Sequence, residues 1–202
     1  MFNIGIDFDN TIVDYDNSFY ELALEKKLIN KNIKKSKKSI RSFLKNEGKE
    51  DEFTILQGEV YGPRILKATP ANECLNTIKK LNDLGANVFI VSHKTKTPYA
   101  GPKYDLHNAA KEWLNHYLFL SSKGGNIKED RIFFNTSKSE KISRIHYLKC
   151  NFFIDDLPEI LDMVNPNIKR ILYNNNEEFY KSKYSFVSNK WKLVGDFIEK
   201  NL

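Results

Sequence analysis

The stretch "GIDFDNTIVDYD" (residues 5–16) passes from apolar residues into four carboxylates, Asp7, Asp9, Asp14 and Asp16, grouped around Asn10 and Thr11. Its apolar part belongs to "FNIGIDF" (2–8), which reads as a buried strand because it is rich in Ile and Phe and lacks a helical period. Carboxylates at the end of a dry strand are costly unless a cation or hydrogen-bond donors hold them, so the cluster points to a metal. Mg²⁺ is a hard cation that takes one or two carboxylates and fills its other positions with water, carbonyls and phosphate oxygens. A second acidic strand end is therefore expected, and "NFFIDDLPE" (151–159) supplies one with Asp155 and Asp156.

Working outward, the other short apolar runs bounded by breakers also read as strands: "NVFIVS" (87–92), "RIFF" (131–134), "NFFID" (151–155) and "KRILY" (169–173). Segments with helical spacing lie between them. "ANECLNTIKKLNDLG" (71–85) ends with Gly85 placed to cap it, and "DLHNAAKEWLNHYLFL" (105–120) carries Leu106, Ala110, Trp113 and Tyr117 along one stripe. "SKSEKISRIHYL" (137–148) begins with Ser137 and Glu140 in capping-box spacing. This alternation predicts an α/β fold with a mainly parallel five-stranded sheet flanked by helices.

One interval breaks the alternation. "NSFYELALEKKLI" (17–29) and "EDEFTILQGEVYG" (50–62) are helical, with no strand between the first carboxylate cluster and Pro70. The expectation is a small α-helical cap over residues 15–67, inserted into a core of residues 1–14 and 68–202. The loop "HKTKTPYAGPKYD" (93–105) directly follows a strand, where open parallel sheets place their ligands. The tail from 174 to 202 reads as a turn-rich loop followed by a helix from about Lys190.

Composition narrows the class. The 202 residues suffice for one main core, and the 41% hydrophobic and 29% charged fractions are those of a folded chain. Much of the net charge of +6 sits in "KNIKKSKKSIR" (31–41), a solvated face or an anion-attracting patch. No zinc-finger, RRM or helix-turn-helix signature accompanies it. Cys74 and Cys150 are far apart without metal spacing and read as buried thiols. No apolar window approaches a membrane span and no basic-then-apolar leader is present, so the expected location is cytoplasmic.

Ser92, at the end of a strand, and Lys138 or Lys141, near a helix start, complete a set able to bind a phosphoryl group. The chain here resembles the haloacid dehalogenase-like (HAD) superfamily. "DFDNT" (7–11) matches its DxDxT first motif, the strand ending at Ser92 its second, Lys141 its third, and "IDDLP" (154–158) the DD form of its fourth. The resemblance implies a Rossmann-like core and a Mg²⁺-dependent phosphatase. Asp7 would be the nucleophile that forms an aspartyl-phosphate, and Asp9 the acid and then the base. Asp7, the backbone carbonyl of Asp9, and Asp155 would ligate Mg²⁺, with Asp156 a further ligand or an orienting group. Thr11 and Ser92 would hold phosphoryl oxygens, and Lys141 would link nucleophile and transferring group. An acid at position 9 has no use in displacing halide, which argues against a dehalogenase.

The expected substrate is a small phosphomonoester, enclosed by the cap. Candidate selecting groups are Tyr61 and Arg64 at the end of the cap, and Lys94, Tyr99, Lys103, Tyr104 and Asp105 in the loop after Ser92. Alternatives are a nucleotidase or a phosphatase of nucleic-acid ends, a phosphotransferase such as a mutase, and a phosphate-binding regulator without turnover. Asp14 and Asp16 read as helix-start residues. His93 reads as a loop residue, His107, His116 and His146 as structural, and Trp113 and Trp191 as core.

Overall fold

Strands form where Ile, Val and Phe run together, and helices where their spacing widens. The computed structural model describes residues 2–175 and 177–202. In chain order it has β1 (Asn3–Ile6), β2 (Val13–Asp14), α1 (Asp16–Glu25), α2 (Lys37–Asn46), α3 (Glu50–Tyr61), β3 (Thr69–Pro70), α4 (Cys74–Asp83), β4 (Asn87–His93) and α5 (Leu106–His116). There follow β5 (Ile132–Asn135), α6 (Lys138–Tyr147), β6 (Phe152–Asp155), α7 (Pro158–Met163), β7 (Lys169–Leu172), α8 (Glu177–Tyr180), β8 (Phe186–Val187) and α9 (Trp191–Glu199).

The main sheet has the order β5-β4-β1-β6-β7-β8, and each neighbouring pair is parallel. All five expected strands are present, with their ends moved by a residue or two. The expected count of five is corrected to six: β8 lies inside the segment read as a turn-rich loop. It spans two residues, too few to carry a period, and exists because Phe186 and Val187 pair with Ile171 and Leu172 of β7. Numbered along the chain, the six strands lie in the order 3-2-1-4-5-6. That order reverses beside β1, between β4 on one side and β6 on the other, and ligands of such sheets bind at the strand carboxyl ends there.

Local signals set the boundaries. Gly85 adopts φ 86° and donates its N–H to Asn82, ending α4 as its position suggests. Ser137 caps α6 by accepting from the Glu140 N–H at 3.2 Å. Gly5 is needed for close approach, since a Cβ there would meet the Phe153 ring at 2.7 Å. Val91, Ile145, Phe153, Ile160 and Leu172 are among the buried residues that close the core around the sheet.

The chain divides into two units, one holding the segment up to Ile12, Pro70–Lys94 and Tyr117–Leu202, the other Val13–Thr69 and Thr95–His116. The first contains the main sheet. The second is helical: α1, α2 and α3 pack together, and α5 packs on α3. Its interior is aromatic, with Phe19 stacked on Phe53 and the Tyr15 ring tilted against Tyr61. The Trp113 indole is fully buried and donates to the Ala68 carbonyl at 2.9 Å. This unit therefore takes in residues 95–116, which the division at 15 and 67 leaves in the core.

Candidate active site

Asp7 follows β1 immediately, and its N–H donates to the Ile154 carbonyl at 2.9 Å, which continues the ladder with β6. Ile6 pairs with Ile154 on one side and with Ile90 on the other. Asp7 thus emerges between the ends of β6 and β4, which carry Asp155 and Ser92. The Ser92 hydroxyl donates to Asp7 Oδ1 at 2.9 Å. Lys141, in the first turns of α6, donates to Asp7 Oδ1 at 2.5 Å and to Asp155 Oδ2 at 2.6 Å. Lys138 instead reaches Glu159 at the surface.

The group is buried: Asp155 is 0% exposed, Lys141 1% and Asp7 5%. Burial raises the Asp155 carboxyl above the usual carboxylate range, against the pull of the Lys141 charge and with the Asp7 carboxylate adding to the rise. Burial alone would lower Lys141, yet Asp7 and Asp155 outweigh it and raise its pKa, so the side chain stays an ammonium. The Leu157 N–H donates to Asp155 Oδ1 at 2.9 Å and helps hold that carboxyl. Asp7, Asp155 and Asp156 offer oxygens that all lie within 4.8 Å of one another. Their carboxylate oxygens are hard donors, a set suited to Mg²⁺.

Asn10 adopts φ 59° in the turn after β1, a conformation Asn tolerates better than most residues. Next to it, Thr11 is fully buried and its Oγ1 has no hydrogen-bond partner among the described residues. The Thr11 carbonyl accepts from the Trp191 indole at 3.0 Å, so α9 braces this turn. Asn135, at the end of β5, donates to the Ser92 carbonyl at 3.1 Å and braces the second strand end. Neither bracing residue carries a sequence signal, because each acts through backbone atoms far away in the chain.

Lys94 has a different place from the one its loop position suggests. It is 3% exposed, and its ammonium donates to Asp9 Oδ1 at 2.9 Å and Oδ2 at 3.0 Å. It also lies over the Phe8 ring.

The remaining sequence candidates lie in the helical unit. Tyr61 is buried and accepts at its hydroxyl from Lys37 at 2.6 Å. Arg64 makes a two-pronged pair with Glu25 at 2.8 and 2.6 Å. Tyr99 is exposed, Lys103 donates to the Pro98 carbonyl at 3.1 Å, and Tyr104 lies against Gly62. Asp105 accepts from the Asn108 N–H at the start of α5, and this bond holds its carboxyl below the usual range. Asp14 likewise accepts from the Asp16 N–H at the start of α1. In the sheet unit, His93 ends β4 instead of lying in the loop and contacts the Thr136 carbonyl, and His146 accepts from the Asn165 N–H.

Solved structures share this fold. A "predicted phosphatase" from Clostridium acetobutylicum superposes with a TM-score of 0.62 at 14% identity, covering 98% of each chain. A HAD-superfamily hydrolase from Ehrlichia chaffeensis gives a TM-score of 0.54 at 14% identity, over 98% of this chain and 96% of its own. The chain has the HAD-superfamily fold. In the HAD fold of this protein, Asp7, Ser92 and Asp155 occupy three adjacent strand ends and Lys141 reaches them from the following helix. A Bacillus cereus protein named "Putative nucleotidase" is 23% identical over 98% of both chains. No protein-family model matches the chain. No helix among the described residues is long and apolar enough to cross a membrane.

Proposed function

We propose that this protein is a Mg²⁺-dependent phosphohydrolase that cleaves a small phosphomonoester through an aspartyl-phosphate on Asp7. The observation that carries the reading is the Lys141 ammonium held between Asp7 and Asp155, with Ser92 on the same Asp7 oxygen.

Both donors fall on Asp7 Oδ1, which leaves Oδ2 as the oxygen to attack phosphorus. As the Asp7–phosphorus bond forms, the bond to the leaving oxygen breaks and Asp9 gives that oxygen a proton. Water then attacks phosphorus, its proton passes to Asp9, and the bond to Asp7 breaks. Ser92, Lys141 and the unpaired Thr11 hydroxyl donate to the phosphoryl oxygens, where charge accumulates in the transition state. Asp7, Asp155 and Asp156, with the Asp9 carbonyl, would hold Mg²⁺, which when bound neutralises charge on the phosphoryl group.

The helical unit serves as a substrate-selecting cap. The name of the Bacillus cereus relative favours a nucleotide as the substrate. The test is a screen over nucleotides, sugar phosphates and other phosphorylated metabolites, with and without Mg²⁺, beside Asp7→Asn. Mg²⁺-dependent phosphate release from one class, lost in Asp7→Asn, is expected; full turnover in that variant would remove Asp7 as nucleophile.

A further inference from the structure

Lys94 sits two residues beyond Ser92, in the same unit as Asp9, and its ammonium engages both oxygens of the Asp9 carboxylate at 2.9 and 3.0 Å. The Lys94 N–H donates to the Asn135 carbonyl at 2.8 Å, which fixes its backbone beside the end of β5. Its side chain is 2% exposed and that of Asp9 16%. A flexible lysine costs side-chain entropy and desolvation to bury, and this one is buried with a two-pronged contact to the Asp9 carboxylate.

We infer that Lys94 is a positioning residue for Asp9: it fixes the direction from which Asp9 exchanges a proton with the leaving oxygen and with water. This rests on the phosphohydrolase reading and adds a residue to it. Two contacts suit the task. When one Asp9 oxygen carries the proton, the other keeps its bond to Lys94, and the carboxyl group stays in place through both half-reactions. A misdirected acid costs most where the leaving group needs a proton, because a phenolate made stable by a nitro group departs without one.

The test compares kcat and KM of wild type, Lys94→Met, Lys94→Arg, Asp9→Asn and Asp9→Asn/Lys94→Met. The probes are substituted phenyl phosphates, from p-nitrophenyl phosphate to unsubstituted phenyl phosphate. The expected loss of kcat in Lys94→Met is on the order of 10²-fold for phenyl phosphate and below about tenfold for p-nitrophenyl phosphate. Lys94→Arg should restore part of it, and the double variant should be no slower than Asp9→Asn. An equal loss along the series, a change in KM alone, or multiplied losses in the double variant would overturn the inference. If the wild type hydrolyses no phosphomonoester, the phosphohydrolase reading fails on its own. The hold on Asp9 is then decided by crystal structures of wild type and Lys94→Arg or Lys94→Met. An Asp9 carboxylate turned away in the methionine variant supports it, and one left in place overturns it.

Discussion

Lys141 meets Asp7 at 2.5 Å across 134 residues of chain, and the same ammonium meets Asp155 at 2.6 Å. Removing it leaves two buried carboxylates facing each other without a counter-charge. In metal-free buffer, Lys141→Met should lose about 3–5 kcal/mol of stability, measured by urea unfolding. Its turnover in Mg²⁺ should fall on the order of 10²–10³-fold, as for a lost transition-state donor. Lys138→Met removes only the exposed pair with Glu159. That change should stay within about 1 kcal/mol and leave turnover near wild type; the reverse ranking would exchange the roles of the two lysines.

Binding of a divalent cation to the Asp7, Asp155 and Asp156 cluster should appear as stabilisation, because only the folded chain brings these oxygens within 4.8 Å. Mg²⁺ at about ten times its dissociation constant would add roughly 1.4 kcal/mol. Thermal unfolding should therefore shift upward with Mg²⁺ in the wild type, and the shift should vanish in Asp155→Asn. An equal shift in both proteins would move the metal elsewhere.

Trp191 links α9 to the turn after β1 through its bond to the Thr11 carbonyl. Trp191→Phe keeps an aromatic ring but leaves that buried carbonyl without its donor, at a cost of about 1–3 kcal/mol. The loss of stability should be accompanied by lower turnover, since Thr11 is displaced with the turn. Full activity in a destabilised variant would show that the brace is dispensable for the site.

Both thiols should be inert while the chain is folded. Cys150 is buried and its thiol is pushed up to about 12 by that burial; Cys74, enclosed more completely, is raised well above its ordinary value. The thiolate is the reactive species, so alkylation at pH 8 should proceed only as fast as the protein opens. Two thiols should then titrate in denaturant, and fast native labelling of either would contradict its burial.

Much of the fold was legible because its signals are local. A run of Ile, Val and Phe bounded by breakers makes a strand almost regardless of what lies elsewhere, and five of the six strands of the main sheet announce themselves this way. Ser137 and Gly85 mark helix ends by bonds made within a few residues of themselves. β8 gives no such signal: a two-residue strand has no period, and Phe186 and Val187 are extended where they pair with β7. Residues 95–116 fall in the helical unit because α5 packs on α3, a partnership that spacing along the chain does not encode.

The site divides in the same way. From sequence alone come the two acidic strand ends, Asp7 with Asp9 and Asp155 with Asp156, since carboxylates after dry strands stand out against their surroundings. The sequence leaves Lys138 and Lys141 as rivals and places Lys94 among the candidate substrate-selecting groups. Folding separates the two lysines, burying one against Asp7 and leaving the other at the surface, and it turns Lys94 onto Asp9. The physical reason is one of range. Strand and cap preferences act over a few residues, whereas a charge finds its partner only after the sheet has brought distant strand ends together.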